Sequence, residues 1–131
     1  MTIKLLDNPD KLEELLTRAS VNYPLVEGCE YLVAENKTKL KGALGYRQGK
    51  HYPELQHIIL GRGVDRRVGL SLIKEFENRL VEKGNRQYVA FIEENDYKTQ
   101  EYAVRLNFVP YEKVDNIGMW FVKQIKGEKN G

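Results

Sequence analysis

The sequence predicts an α/β fold (an α+β mixed sheet) covered by helices, and three observations carry that prediction. Strand-like and helix-like segments alternate along all 131 residues. The helical segments show apolar stripes at helical spacing, and two carry clear start or stop residues. No repeat, low-complexity stretch or Pro/Gly-rich linker breaks the order, so residues 1–125 read as one domain and 126–131 as a polar C-terminal tail.

Residues 2–6 read as a short strand. Asn8-Pro9 then starts a helix, with Asn8 as N-cap and Pro9 at the first helical position, where no N–H is needed. Leu12, Leu15, Leu16 and Ala19 form its apolar stripe, and Pro24 ends it by forcing Tyr23 out of helical geometry. Residues 30–35 and 40–46 predict a hairpin joined by Asn36-Lys37-Thr38-Lys39. Residues 54–60 predict a third strand, with Leu55, His57 and Ile59 alternating against Glu54, Gln56 and Ile58. A loop over Gly61–Gly69 leads into a helix whose apolar side carries Leu70, Leu72, Ile73, Phe76, Leu80 and Val81. Gly84 stands where a left-handed cap residue belongs. A strand over 88–92, a helix over 96–106 and strands over 108–111 and 117–122 complete the order β-α-β-β-β-loop-α-β-α-β-β. In the last helix Thr99, Tyr102, Ala103 and Leu106 recur at helical spacing.

Composition narrows the function classes. Hydrophobic residues make up 41% and charged residues 31%, enough for a packed core in a chain of single-domain length. Twenty-one basic against nineteen acidic side chains leave a formal charge of +2, which argues against a nucleic-acid binder working through a general basic field. No apolar run approaches the roughly 20 residues of a membrane span. Met1-Thr2-Ile3-Lys4-Leu5-Leu6-Asp7 lacks the layout of a signal peptide. The single Cys29 excludes an internal disulfide, and no Cys/His spacing suits zinc. The expectation is a cytoplasmic protein with no membrane or nucleic-acid partner and no metal.

The loop before the long helix is the most informative segment. A strand entering a glycine-containing turn and then a helix N-terminus presents backbone N–H groups and the positive end of a helix dipole. Gly61, Gly63 and Gly69 permit close approach, while Arg62, Arg66 and Arg67 add positive charge suited to a pyrophosphate. A solvated basic turn explains the same residues. The loop is neither a P-loop nor a GxGxxG dinucleotide turn.

With those residues the chain resembles the GNAT acyltransferase superfamily over nearly its whole length, most closely from Glu54 to Phe108. That family carries an acyl-CoA signature, Q/R-x-x-G-x-G/A, before a helix that ends in glycine. Two registers fit. In the ungapped one Gly69 is the last signature glycine, Arg67 replaces the earlier glycine and Val64 the leading Gln/Arg. In the shifted one Arg66-Arg67-Val68-Gly69-Leu70-Ser71 reads as R-x-x-G-x followed by a small residue. Further on, Asp96 stands at the family's Asn, Ala103 at its thiolate-protonating tyrosine, with Tyr102 beside it, and Asn107 at the glycine before Phe108. Asn107 also tolerates positive φ.

The resemblance implies a central sheet whose parallel strands 54–60 and 88–92 splay apart, with pantetheine in the gap. Acetyl-CoA would lie along Leu60, Arg62, Val64, Arg66, Arg67, Val68, Gly69, Leu70 and Ser71, with Asp96 at the start of the next helix. An amine would attack the thioester directly, which calls for a base and an acid. Glu54 and His57 are the candidate bases. A histidine with an ordinary pKa near about 6.5 suits proton removal at neutral pH. Tyr102 is the candidate acid, with Tyr97 more distant. Each also has a plain structural reading: an exposed strand-end carboxylate, a half-buried histidine, a packed tyrosine. Tyr23, Tyr31, Tyr46, Tyr52 and Trp120 would line an acceptor pocket or pack within strands, and Cys29 reads as a small buried hydrophobe.

The leading expectation is therefore an acetyl-CoA-dependent N-acetyltransferase acting on a small-molecule or peptide amine. That amine would bind between residues 16–27 and 111–117. The substitutions at Arg67, Ala103 and Asn107 motivate an alternative, a non-catalytic member of the fold that binds CoA or a partner. A nucleic-acid-binding domain built on Arg62, Arg66 and Arg67 ranks last, since the acidic run Glu93-Glu94-Asn95-Asp96 lies nearby. Family resemblance also implies a homodimer, with the late strands as natural edges.

Overall fold

Ten elements follow one another in the predicted order: β1 (Thr2–Leu5), α1 (Pro9–Arg18), β2 (Glu30–Asn36), β3 (Lys39–Gln48), β4 (Pro53–Leu60), α2 (Arg67–Glu82), β5 (Gln87–Glu93), α3 (Tyr97–Arg105), β6 (Val109–Val114) and β7 (Gly118–Gln124). The computed structural model describes residues 1–19 and 28–126. The strands form one seven-stranded sheet in the order β1-β2-β3-β4-β5-β7-β6. Two compact units make up the chain, one from Met1–Arg47 with Gln56–Arg79 and the other from Gln48–Leu55 with Leu80–Gly131.

In the first unit, α1 starts as its sequence dictates. The Asn8 side chain accepts a hydrogen bond from the Asp10 N–H at 3.0 Å, and Pro9 occupies the first helical position. Leu12, Leu15 and Leu16 are buried and pack with Tyr31, Val33, Leu40, Ala43 and Ile59. Each such leucine contributes about 1.5–3 kcal/mol by leaving water. α1 ends at Arg18 with Ala19 as its C-cap, ahead of the expected stop at Tyr23 and Pro24, which lie outside the described residues.

β2 is buried on both faces from Tyr31 to Glu35, which explains its nearly continuous apolar run. Glu35 is the exception to that apolarity, and two lysines answer it. Lys11 Nζ on α1 lies 2.6 Å from one carboxylate oxygen and Lys4 Nζ on β1 lies 2.9 Å from the other. These hydrogen bonds, that from Lys11 foremost, hold the Glu35 carboxyl below its ordinary pKa. A register shift between Ala34 and Glu35 accompanies this end of the strand. The β2–β3 hairpin turns on Lys37-Thr38 alone, tighter than the four residues expected, because Lys37 adopts φ 63° and lets Asn36 and Lys39 pair.

β3 is thinned by glycine where neighbours come close. A Cβ on Gly45 would lie 2.6 Å from the Tyr31 ring, and one on Gly42 would lie 2.9 Å from Leu60 Cδ2 and 3.3 Å from Leu72 Cδ1. Tyr31 and Gly45 are register partners across β2 and β3, so the ring lies over its own cross-strand neighbour. Tyr46 packs against Phe76 of α2 at 4.9 Å between ring centroids. Burial, reinforced by Glu30, pushes its hydroxyl up to about 12. Tyr31 and Tyr46 are thus packing residues of this unit, while Cys29 is half-buried against its core.

In the second unit β5 pairs along its whole length with antiparallel β7, from Gln87↔Gln124 to Glu93↔Gly118. β6 is the edge, and all its residues but Val114 are exposed. The Tyr88 ring is fully buried and meets Phe108 edge-on at 5.4 Å. Phe108 reaches that position because Asn107 takes φ 73°, the left-handed turn expected of it, and the Phe108 N–H bonds to the Ala103 carbonyl at 3.0 Å. The C-terminal end of α2 closes as a Schellman motif. Gly84 has φ 88°, its N–H bonds to the Val81 carbonyl, and the Asn85 N–H bonds to the Leu80 carbonyl. Parallel β4 and β5 are registered at Glu54↔Val89 and Leu55↔Ala90, while β4 runs on to Leu60 and β5 to Glu93.

Gly45→Ala tests the close approach over β3. Because Tyr31 is only 8% exposed, the ring has little room to move, and the substitution is expected to cost about 1–3 kcal/mol in denaturant unfolding. Adding Tyr31→Leu should recover much of that loss; a Gly45→Ala variant as stable as the parent would contradict the packing.

Candidate functional site

The first unit brings together one end of β4, the turn after it and the start of α2. Strand alternation fixes two faces. Ile59 belongs to the core under α1, so His57 shares that face. Ile58 and Leu60 point the other way, within van der Waals reach of the place a Cβ on Gly69 would occupy. Leu60 therefore packs between β3 and α2, near Gly42 and Gly69.

The turn itself is tightly specified. The Gly61 N–H bonds to the Lys41 carbonyl at 2.9 Å, and the Val64 N–H bonds to the Gly61 carbonyl at 3.1 Å. Gly63 has φ 77° with nothing near its missing side chain, so backbone conformation is what demands glycine there. Gly69 differs. Its Cβ would meet neighbours only at 3.7–3.9 Å, an ordinary separation, so packing does not require glycine at that position.

Asp65 sets where the helix begins. Its Oδ1 accepts the Arg67 N–H at 2.9 Å, and its carboxylate also takes the Arg67 guanidinium, Nη2 at 2.8 Å and Nε at 3.2 and 3.3 Å. The Val68 N–H bonds to the Asp65 carbonyl and the Gly69 and Leu70 N–H groups to the Arg66 carbonyl. The helix accordingly starts at Arg67 rather than Leu70, and Arg67, Val68 and Gly69 belong to its first turn instead of the loop. Leu70 is 43% exposed, so the buried stripe runs through Leu72, Ile73, Phe76 and Leu80 without it. Side-chain hydrogen bonds from Arg67 hold the Asp65 carboxyl down to about 2. Asp65 is not among the residues that the motifs single out, although an aspartate just ahead of a helical stripe is an N-cap signal.

Of the other candidates for acetyl-CoA, Arg62, Arg66, Arg67 and Leu70 are exposed while Val64, Val68 and Ser71 are half-buried, all within this unit. A diphosphate fits this turn on charge, since three arginines and one aspartate leave it formally cationic. Asp65 already holds one of the N–H donors and one of the guanidiniums.

His57 is half-buried on β4, and burial lowers its pKa from the usual 6.5. A neutral imidazole at pH 7 is a competent proton acceptor. Glu54, Tyr102 and Asp96 belong to the second unit. Glu54 is half-buried, and its carboxylate fills the space that a side chain at Gly49 would need. Burial raises the Tyr111 hydroxyl pKa, and Glu112, Tyr52 and Glu54 add to that rise. Tyr102 is half-buried on α3, one position before the buried Ala103. Asp96 caps α3, accepting the Thr99 N–H at 3.2 Å. Tyr52 is 37% exposed, whereas Trp120 stacks edge-on with Phe91. Tyr23, and residues 20–27 of the expected acceptor segment, lie outside the described residues. Among the described residues no His, Cys, Asp and Glu cluster could hold a metal ion, and no helix is long and apolar enough to cross a membrane.

The state of His57 can be read directly. In an NMR titration its imidazole should protonate below the pH at which a free histidine does. The folded state favours the neutral ring, so its stabilising effect is complete above about 6.5. That effect should fade as pH falls from there through the lowered folded pKa. A midpoint at or above that of free histidine would contradict the burial.

No protein-family model matches this sequence, and no curated protein matches it. Solved structures do. The PaiA N-acetyltransferase from Thermoplasma acidophilum, in complex with coenzyme A, has a TM-score of 0.73 at 14% identity, covering 95% of this chain and 99% of its own. A GNAT-family acetyltransferase from Staphylococcus aureus Mu50 has a TM-score of 0.71 at 14% identity, covering 95% of this chain and all 100% of its own. The ribosomal-protein-S18-alanine N-acetyltransferase from Escherichia coli has a TM-score of 0.73 at 13% identity, covering 98% and 96%. The predicted mixed sheet, its helices and the resemblance drawn from its motifs agree with these neighbours: the chain has the fold of the GNAT N-acetyltransferases.

Proposed function

We propose that this protein is an acetyl-CoA-dependent N-acetyltransferase that passes an acetyl group directly to a primary amine. The observation that carries the reading is likeness to an acetyltransferase crystallised with coenzyme A, over 95% of this chain, together with a cationic turn at the end of β4. Acetyl-CoA, when bound, supplies a thioester whose carbonyl carbon accepts the amine nitrogen.

The chain's residues divide the remaining work. Arg62 and Arg66, exposed on the turn, would hold the diphosphate. His57 or Glu54 on β4 would take the ammonium proton; burial keeps the His57 ring neutral at pH 7 and so able to accept one. Tyr102, the tyrosine nearest in sequence to the family's acid position, would donate a proton to the departing thiolate sulfur. Proton removal and proton donation thus fall to different elements, β4 and α3.

One observation favours a second reading, a CoA-binding or partner-binding protein without catalysis. Asp65 already occupies the first-turn N–H and guanidinium of Arg67, and Ala103 stands at the tyrosine position of the motif.

Calorimetric titration with acetyl-CoA, followed by an acetyl-transfer screen over small and peptide amines, separates the two. The proposal predicts micromolar binding, weakened about tenfold or more by Arg66→Ala, and CoA release with at least one amine. Binding without turnover across the screen would favour the second reading. No binding at millimolar cofactor would overturn the acetyltransferase reading and leave the partner-binding one.

A further inference from the structure

An acidic residue stands among the arginines of the β4–α2 turn, and its geometry is that of a bound anion. The Asp65 carboxylate takes the Arg67 N–H and makes three contacts of 2.8–3.3 Å with the Arg67 guanidinium. It stands at the N-terminus of the 16-residue α2, where the helix dipole favours negative charge. We propose that Asp65 is a built-in anionic occupant of this turn that competes with the CoA diphosphate and so sets the affinity for CoA, an inference that rests on the CoA-dependent reading of the fold.

The physical case has two parts. A diphosphate arriving at Arg67 meets a guanidinium already paired and a carboxylate of its own sign. Like charge beside the diphosphate opposes binding, and the pair must open before Arg67 can turn to phosphate. The pair is also exchangeable. The Asp65 and Arg67 side chains are 52% and 85% exposed, and solvated pairs of this kind cost little to separate. Asp65 thereby tunes affinity without blocking the site. Its other task, capping α2, does not need the charge, because asparagine caps a helix about as well as aspartate.

Asp65→Asn separates the two roles. Wild type and D65N would be titrated calorimetrically with CoA and, as a probe lacking the diphosphate, with pantetheine. Thermal melting would confirm that the variant folds. D65N is expected to bind CoA about 3- to 10-fold more tightly, with a gain that shrinks as salt is added and no gain for pantetheine. Wild-type binding with no tightening in D65N overturns the inference and leaves the functional reading standing. An equal gain for pantetheine also overturns it, since the effect would then lie away from the phosphates. Failure of both proteins to bind CoA at millimolar concentration overturns the inference and the functional reading together.

Discussion

The turn from β4 into α2 depends on one capping side chain. Asp65 both fixes where α2 begins and holds the side chain of the first helical residue. Upstream of it, the Gly61–Lys41 hydrogen bond ties the turn to β3, and Gly63 supplies a left-handed step that a side chain would resist. Each part constrains the next, so strand end, turn and first helical turn form a single structural passage. That passage delivers Arg62 and Arg66 to the surface next to the end of a strand that also carries His57.

β4 links this turn to the core. Its Ile59 packs under α1, and its Ile58 and Leu60 lie toward α2. Gly42 on β3 makes that second contact possible, because a Cβ there would lie 2.9 Å from Leu60. The same economy appears at Gly45, where the missing side chain makes room for Tyr31. Lys4 and Lys11 around Glu35 attach β1 and α1 to β2. With the elements on both faces held this way, His57 is half-buried, and its burial disfavours the charged ring.

Much of this was legible in the sequence wherever one residue decides the local backbone. Asn8-Pro9, Gly84 and Asn107 each did what their chemistry dictates, as start, cap and left-handed turn. Element order was legible too, because the apolar periods are long. The start of α2 was not, since Arg67-Val68-Gly69 carries no apolar stripe and its signal lies in the side chain of Asp65, which acts two residues ahead. Leu70 has the right residue type for a core but sits on the exposed side of the first turn. Glycine at 42 and 45 reads locally as weak strand; only neighbours distant in sequence, Leu60 and Leu72 for Gly42 and Tyr31 for Gly45, reveal the close approach. The site is half legible for the same reason. Arg62, Arg66 and His57 stand on one passage of chain, but Tyr102 and Asp96 rest on a motif whose tyrosine is replaced by Ala103, and Asp96 serves as the α3 cap.

We propose that CoA binds at the β4–α2 passage. The most direct test is a backbone amide NMR map of the protein with and without CoA. The largest shift changes are expected at Gly61 through Ser71, with Arg66 and Arg67 among them. Saturable changes centred elsewhere, with this passage unmoved, would contradict it.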